Sequence, residues 1–284
     1  MNRFLACWAG ICLFAVLFPV VLPGQTSCED GNSSLNTAQP KAMTVPDIIQ
    51  KFAAKEAIFR QARNNYDYTQ DVTVQTLDGK TVDGEYRQVW DISYDDKGGR
   101  VEAVTFAPQD TLSRVSLTPE DLEDFRNRLP FVLTTDDLPL YNILYVGEQH
   151  VDEIDTYVFD VAPKAIEKGK RYFQGRIWVD DHDLQIVKTC GQNVPDVRAT
   201  SKKKNARENL TPKFVTYREQ VDGQYWFPTY TRADDFLHFQ GGDVHIREII
   251  KYTNYKRFGS RTKIIFKGEV PPEKDQKPPE KKPQ

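Results

Sequence analysis

Two groups of histidine and acidic residues are the parts of this sequence whose side chains could hold a metal ion. One is the run Asp180–Asp183, and the other lies further along the chain at Asp234, Asp235, His238, Asp243 and His245. Consecutive residues in a tight turn point in different directions, and acidic side chains commonly cap turns. We therefore expect turn capping at both places and predict no metal site and no cofactor.

Motifs that would indicate an enzyme do not occur in this sequence. The patterns G-x-S-x-G, H-E-x-x-H and G-x-x-x-x-G-K, typical of hydrolases, zinc peptidases and nucleotide-binding loops, are absent. The formal net charge of -3 also lacks the basic excess of a nucleic-acid-binding protein. The sequence predicts no catalytic residue, no nucleic-acid partner and a non-enzymatic function. An enzyme with an unrecognised polar site is the weaker hypothesis.

The N-terminal 24 residues have the features of a secretory signal. Arg3 supplies the positive end, residues 4–22 are apolar, and Pro23 and Gly24 break the run. We therefore predict a signal peptide at residues 1–24 and Sec-dependent export to the periplasm or cell envelope. A retained membrane anchor is the alternative, because 19 apolar residues approach the length of a membrane span.

The cysteines limit the redox chemistry of the exported chain. Cys7 and Cys12 lie inside the signal, which leaves Cys28 and Cys190. Two cysteines in an oxidising compartment can pair, although two free thiols fit the sequence equally well. Lipid anchoring through Cys28 is a lesser alternative, because residues 25–27 lack the aliphatic residue of a lipoprotein cleavage site.

The first folded element expected is an amphipathic helix. Residues 25–43 are small and polar and predict a flexible leader. Thr44 as the N-cap, with Pro46 and Asp47 in the first turn, then predicts a helix to about residue 64. Its apolar stripe would lie on a sheet, while the following residues are expected to face water: Lys51, Lys55, Glu56, Arg60 and Arg63.

Most of the remaining chain has strand periodicity. Turn signals such as Asp78-Gly79 and Asp222-Gly223 separate ten or eleven antiparallel strands, and a second short helix is expected after Thr118. So many strands must curl. The prediction is a mainly β fold, a curved antiparallel sheet forming an unclosed β-barrel with a helical lid. This domain spans residues 44–268 and is followed by a disordered tail rich in Pro, Lys and Glu at 269–284.

The ordered set of motifs resembles the LolA, LolB and RseB superfamily of periplasmic lipoprotein carriers and regulators. The resemblance is carried by the export signal, the helix-first order, YVG at 145–147, YVFDVAP at 157–163 and, above all, RIWVD at 176–180 running into LQIVK at 184–188. It implies a half-barrel that handles hydrophobic ligands without catalysis. This chain is longer than the family pattern, with extra residues at 95–130 and 193–210.

The predicted function follows from the concave face of such a sheet. The interior under the first helix would be either a packed core or a cavity for an acyl chain, a lipoprotein or another hydrophobic ligand. The alternative is an envelope-stress sensor or protein-interaction module that binds an envelope protein on the same fold. Lys202, Lys203 and Lys204 add a possible peripheral membrane contact. The candidate ligand-binding residues are Ile48, Phe52, Trp90, Phe159, Phe173, Trp178 and Trp226.

Overall fold

The structure is a computed structural model and describes residues 28–29, 31–195, 210–239 and 241–257. It contains helices α1 (Val45–Ala62) and α2 (Pro119–Glu123) and strands β1 (Tyr66–Asp78), β2 (Thr81–Tyr94), β3 (Arg100–Phe106), β4 (Tyr141–Val151), β5 (Ile154–Pro163), β6 (Tyr172–Asp180), β7 (Ile186–Val194), β8 (Phe214–Gln220), β9 (Trp226–Phe239) and β10 (Gly242–Arg257). Short 3₁₀ turns follow α1 and precede β4. The predicted signal, the lysine run 202–204 and the tail 269–284 lie outside the described residues.

Both helices begin at the threonines that the sequence indicates. The Thr44 hydroxyl accepts a hydrogen bond from the Asp47 backbone N–H at 3.3 Å. Thr118 and Asp121 form a reciprocal capping box in front of α2. Neither helix is long and apolar enough to cross a bilayer, and the same holds for every helix within the described residues.

The ten strands form one antiparallel sheet in the order β3-β2-β1-β10-β9-β8-β7-β6-β5-β4. Each strand pairs with the next one along the chain except β3 with β4, and β10 also pairs with β1 and so lies between β1 and β9. Strands β3 and β4 are the two edges and do not pair, so the barrel is unclosed. The predicted mainly β fold with a helical lid is confirmed.

This strand order makes the connection between β3 and β4 cross the whole sheet. Residues 107–140 leave one edge strand and enter the other, and they carry α2 on the way. The crossing connection, as we call residues 107–140, packs with α1 on the same face. Phe125, Leu129 and Leu133 belong to the same buried cluster as Ile48 and Phe52 of α1. The interior of the half-barrel is therefore occupied by two parts of the chain, α1 and the crossing connection.

One strand is longer than the sequence pattern suggests. The sequence predicts separate strands at 224–233 and 235–240, but β9 is continuous through Asp234 and Asp235. The carboxylate of Asp234 contacts His245 Nε2 at 2.5 Å and Arg247 Nε at 3.1 Å on the neighbouring strand β10. These cross-strand partners accommodate the charge within the sheet.

Leader residues 28–29 and 31–38 lie against the outer face of the sheet, whereas the sequence predicts a flexible segment there. Cys28 and Cys190 form a disulfide, which is one of the alternatives that the sequence left open. The backbone of Asn36 pairs with Glu148 of β4. Gly147 permits this approach, because a Cβ at that position would stand 2.3 Å from the Asn36 carbonyl oxygen. The leader therefore covers part of the face opposite α1.

Candidate functional site

The interior beneath the middle of α1 is filled by side chains. Ile48, Phe52, Trp90, Phe159 and Phe173 belong to one buried cluster, and none is more than 5% exposed. The rings of Phe52 and Phe159 have centroids 5.5 Å apart. A residue of the crossing connection, Phe131, stacks on Phe173 with centroids 4.4 Å apart. Five of the seven predicted ligand-binding residues thus meet in one place, where they pack as core.

A buried ion pair joins α1 to the floor of the sheet. The sequence predicts that Glu56 faces water, but Glu56 is fully buried because it follows Ile48 and Phe52 at four-residue intervals on the same helix face. Arg218 Nη1 of β8 lies 3.0 Å from both carboxylate oxygens, and the Ile186 N–H donates to Oε1 at 3.1 Å. Burial raises the pKa of Glu56, and the adjacent guanidinium opposes that rise.

The sheet floor also hydrogen-bonds the backbone of the crossing connection. Gln70 Nε2 of β1 donates to the Phe125 carbonyl at 2.9 Å, and Thr216 Oγ1 of β8 donates to the Leu129 carbonyl at 2.9 Å. Arg218 Nη2 donates to the Phe131 carbonyl. Buried carbonyls need such partners, so these three side chains hold an irregular segment inside an apolar interior.

A second ion pair anchors the π-helical turn Asp124–Arg128, which directly follows α2. Arg171, just before β6, pairs with Asp124, and both side chains are largely buried. The same guanidinium donates to Thr211 Oγ1 at 3.1 Å and to the Pro195 carbonyl at 3.3 Å. The crossing connection is thus attached to the body of the sheet at several points, which makes its displacement energetically demanding.

Trp178 and Trp226 lie in a different cluster on the outer face, so the structure does not bring them together with the other five predicted residues. Trp178 is fully buried among residues that include Val151 and Cys190, and its indole N–H donates to Gln149 Oε1 at 2.7 Å. Successive strand residues alternate faces, so Trp178, five residues after Phe173 on β6, projects to the other side. Trp226 is half-buried against the same cluster.

The acidic and histidine side chains considered above as candidate metal ligands form hydrogen bonds that cap turns or join neighbouring strands. Asp180 Oδ1 accepts the backbone N–H of His182 at 2.8 Å, which caps the turn between β6 and β7. His238 pairs with Asp243 at 2.8 Å across the β9–β10 hairpin. Within the ranges that the structure describes, no three His, Cys, Asp or Glu side chains are arranged to hold a metal ion.

An open cavity lies at the C-terminal end of α1. We call it the helix-end cavity. It has a volume of about 320 Å³, which reaches the usual lower range for small-molecule sites. Aromatic rings and arginines dominate its wall, and Gly98 of the β2–β3 turn forms part of its rim. The lining residues are Phe59, Arg60, Arg63, Asn64, Tyr68, Tyr94, Gly98, Arg100, Arg126, Pro130, Phe227, Pro228 and Tyr255.

The aromatic wall is held by its own contacts. The rings of Tyr68 and Tyr255 stack with centroids 5.1 Å apart, and Phe227 lies 4.6 Å from Tyr255. Burial, together with neighbouring tyrosine hydroxyls, raises the pKa of Tyr68 and Tyr255. Both phenols therefore stay neutral at ordinary pH. The Tyr255 hydroxyl donates to the Pro228 carbonyl at 2.6 Å, which fixes the ring.

The arginines of the cavity differ in how far their charge is neutralised. Arg100 contacts Glu102 at 2.8 Å, and Arg126 contacts the same carboxylate at 2.9 Å. Although burial acts to raise it, the hydrogen bonds from Arg126 and Arg100 hold the pKa of Glu102 below its usual value. Arg60 lies 3.8 Å from Asp137. The buried Nε of Arg63 has no hydrogen-bond partner among the described residues.

A second cavity of about 290 Å³ adjoins the first on the other side of the helix end. Arg60, Arg63 and Pro130 line both cavities. Phe131 and Phe173 line the second one, so it reaches the edge of the packed interior. The two cavities together surround the last turn of α1.

Sequence reasoning missed the helix-end cavity because its residues come from distant parts of the chain. It places Arg60 and Arg63 on a solvated helix face and assigns no role to Tyr68 or Tyr255. The one local signal is the pair of arginines at the end of a helix that precedes an aromatic strand. The partners from β3, the crossing connection and β10 are set by the strand order.

No protein-family model matches the chain, and no curated protein matches it. Three solved structures illustrate the similarity that structure comparison finds. A DUF1329 family protein from Desulfovibrio piger is 15% identical, with 73% of this chain and 92% of that chain covered and a TM-score of 0.35. A LolA superfamily protein from Nitrosomonas europaea is 14% identical, with 77% and 96% covered and a TM-score of 0.34.

The third structure is the MucA/MucB complex of Pseudomonas aeruginosa. The matched chain is 10% identical, with 75% of this chain and 99% of that chain covered and a TM-score of 0.21. Identities and TM-scores at this level say nothing about ligand or activity, which must come from the geometry of this chain.

Proposed function

We propose that the protein is an exported, non-enzymatic binding protein or carrier for a hydrophobic ligand, such as an acyl chain or the acyl part of a lipoprotein. The observation that carries the proposal is the helix-end cavity, an opening of about 320 Å³ with an aromatic wall. Rigid rings provide apolar surface at fixed positions, which suits a ligand whose own chain is flexible. The ligand would begin to bind at this cavity.

The energetics favour the helix end over the middle of α1 as the place of first contact. Each 100 Å² of apolar ligand surface removed from water contributes about 2.5 kcal/mol. Beneath the middle of α1, the same gain is opposed by loss of core packing and by exposure of the ion pair between Glu56 and Arg218. Uptake there would require α1 and the crossing connection to move. Ile48, Phe52, Trp90, Phe159 and Phe173 would line that enlarged site.

The proposal is tested with an apolar fluorescent probe, N-phenyl-1-naphthylamine, on the purified full-length exported protein. Asn64→Trp places a bulky ring at the mouth of the helix-end cavity and should weaken probe binding at least tenfold. Lys55→Trp, on the exposed side of α1, is the matched control and should leave binding unchanged. Equal binding by both variants, with unchanged urea midpoints, would remove the cavity as the binding site.

Native mass spectrometry identifies the natural ligand class. Protein purified from its own envelope fraction should carry a co-purified lipid or acylated protein, and Asn64→Trp should carry less of it. A ligand retained equally by both proteins would contradict binding at the helix end.

A protein-interaction module is the second candidate, and the edge strand β3 favours it. Val101, Val104 and Phe106 are exposed by 47%, 55% and 49% on a strand that has a neighbour on one side only. Exposed edge strands can pair with a strand of another protein. A photo-crosslinker at position 104 should then capture an envelope protein, while the same crosslinker at position 55 should not.

A further inference from the structure

We infer that the helix-end cavity selects amphiphiles that carry an anionic head group, a carboxylate or a phosphate, and that Arg63 and Arg126 bind this head group. The inference rests on the proposed function and adds the chemical class of the ligand. It starts from the charges around the cavity, which a purely apolar ligand would leave unused.

The charge balance around the cavity is positive. Four arginines line it, and none of its lining residues is acidic. Two carboxylates lie just behind the wall, with Glu102 shared by Arg100 and Arg126, and Asp137 beside Arg60. These six groups have a net charge of +2. The C-terminal end of α1 contributes a partial negative charge of about one half, which does not cancel this excess.

Arg100 supports the wall instead of offering a binding group. Its Nε contacts Glu102 at 2.8 Å, its Nη1 donates to the Tyr68 hydroxyl at 2.7 Å, and its Nη2 donates to Gln70 Oε1 at 2.6 Å. All three nitrogens of the guanidinium therefore already have partners. A ligand would have to displace several of these hydrogen bonds to use Arg100.

Arg63 and Arg126 are better suited to a ligand. The buried Nε of Arg63 has no hydrogen-bond partner among the described residues, and an unsatisfied buried donor is unfavourable. The contacts of Arg126 to Glu102 are made through Nε, and its side chain is 34% exposed at the cavity. Guanidinium groups bind carboxylates and phosphates through two parallel hydrogen bonds. An anionic head group in the cavity would bind the guanidinium of Arg63, which lines its wall.

The rest of the cavity defines the rest of the ligand. Phe59, Phe227 and the stacked Tyr68 and Tyr255 provide apolar surface next to the arginines. An inorganic anion would use only the charged part of this site, and an alcohol or hydrocarbon would use only the apolar part. A molecule with both parts gains from both, so the expected ligand is an anionic amphiphile.

The test compares ligands of one chain length that differ in their head groups. We propose a displacement assay in which N-phenyl-1-naphthylamine is first bound to the full-length protein at pH 8. The competing ligands are dodecanoate, dodecyl phosphate, dodecanol and dodecylamine, each used below its micelle-forming concentration. The two anions should displace the probe at concentrations at least tenfold lower than dodecanol needs, and dodecylamine should need the highest concentration. Acetate and inorganic phosphate should not displace the probe.

Substitutions connect the preference to the two arginines. Arg63→Gln and Arg126→Gln should each reduce the preference for dodecanoate over dodecanol at least fivefold, because the carboxylate then loses a charged partner. Arg126→Lys retains the charge and should retain part of the preference. Arg87→Gln, which removes a guanidinium that pairs with Asp71 outside this cavity, is the matched control and should change nothing.

The outcomes separate the inference from the proposed function. If all four dodecyl ligands displace the probe equally, the protein binds hydrophobic ligands and the anionic preference is wrong. If the preference survives both Gln substitutions, other groups bind the head. If the probe does not bind the folded protein at all, the proposed function fails first. If inorganic phosphate competes as well as dodecyl phosphate, the site binds free anions and the amphiphile is excluded.

Discussion

The middle and the end of helix α1 show how one element can serve two different purposes. Around Ile48, Phe52 and Glu56 the helix is sealed between the sheet and the crossing connection, with apolar packing and a buried ion pair. One turn further on, Phe59 and Arg63 line an open cavity. The same helix thus packs into the core in one half and lines an open cavity in the other.

Sheet topology explains the difference between these regions. Because β3 and β4 are opposite edges of a ten-stranded sheet, the chain between them passes from one edge to the other, and its packing against α1 places it on the concave face. This crossing connection covers the middle of α1, and Gln70, Thr216 and Arg218 satisfy its buried carbonyls. The last turn of α1 meets the crossing connection at Pro130 and through the ion pair of Arg60 with Asp137, and a cavity remains between them. The cavity is the part of the concave face that the crossing connection leaves open.

The largest change in stability is expected in the sealed region, the part of α1 around Ile48, Phe52 and Glu56. Glu56→Gln removes the negative partner of Arg218 and leaves a guanidinium charge buried. Breaking such a pair by removing one partner lowers the free energy of unfolding by about 3–5 kcal/mol. Urea unfolding followed by tryptophan fluorescence measures the change.

Replacing both partners is the control for this experiment. The double variant Glu56→Gln, Arg218→Met contains no unpaired buried charge, but it also leaves the Phe131 carbonyl without its donor, so it should recover part of the lost stability. If Glu56→Gln changes the unfolding free energy by less than 0.5 kcal/mol, as is usual for exposed sites, the sealed region does not depend on the pair.

Removing the disulfide tests whether the outer face contributes to the stability of the fold or to binding at the helix-end cavity. Cys28→Ser with Cys190→Ser should lower the free energy of unfolding by about 2–4 kcal/mol, because the bond closes a loop with a sequence separation of 162 residues. The bond lies on the face opposite α1, so the affinity for the fluorescent probe should stay the same. A loss of probe binding in the folded variant would mean that the leader controls the cavity.

Alkaline pH should loosen the sealed region through Tyr252. Burial raises the pKa of Tyr252 to about 12, and this residue is part of the buried cluster under α1. Between the unfolded pKa of about 10 and this value, the folded state holds more protons than the unfolded state. The contribution of Tyr252 to the free energy of unfolding is therefore fully present below pH 10. It falls by up to about 3 kcal/mol as the pH rises toward 12.

Urea midpoints at pH 9, 10 and 11 measure this loss. Tyr252→Phe removes the ionisable hydroxyl and should reduce the decline between pH 10 and pH 11. An identical decline in the variant would assign the effect to other buried tyrosines, such as Tyr141, whose pKa burial also raises to about 12.

The sequence predicts the features that depend on neighbouring residues and misses the contacts between residues that are far apart in the chain. The cap at Thr44 and the capping box at Thr118 are local, so both helix starts are correct. Turn signals also locate most of the strands, because hairpins join neighbouring residues. The burial of Glu56 depends on Arg218, 162 residues away, and no local pattern reports that partner.

The facing of strand residues is the second limit. Phe173 and Trp178 are both large and apolar, and both are predicted to bind ligand. Their odd spacing places them on opposite faces of β6, and the leader that buries the Trp178 cluster is attached only through long-range contacts. The positions of the cavity arginines depend in the same way on which strands become neighbours.

The smallest effect expected concerns the hydrogen bonds that hold the crossing connection. Thr216→Val keeps the shape of the side chain but leaves the Leu129 carbonyl without its donor, which should lower the free energy of unfolding by about 1–3 kcal/mol. Thr229→Val, where the threonine bonds the side chain of Glu219 near the surface, is the matched control. It should stay within about 0.5 kcal/mol of the unmodified protein.

The same pair of variants shows whether the two regions of α1 are coupled. If the crossing connection only provides stability, Thr216→Val weakens folding and leaves the probe affinity at the helix end unchanged. If it also controls access to the interior, the loosened segment exposes apolar surface next to Phe131 and Phe173, and the variant binds more probe than the control. Because Phe131 and Phe173 line the cavity that adjoins the helix end, extra binding would show that the open and sealed regions form one expandable site.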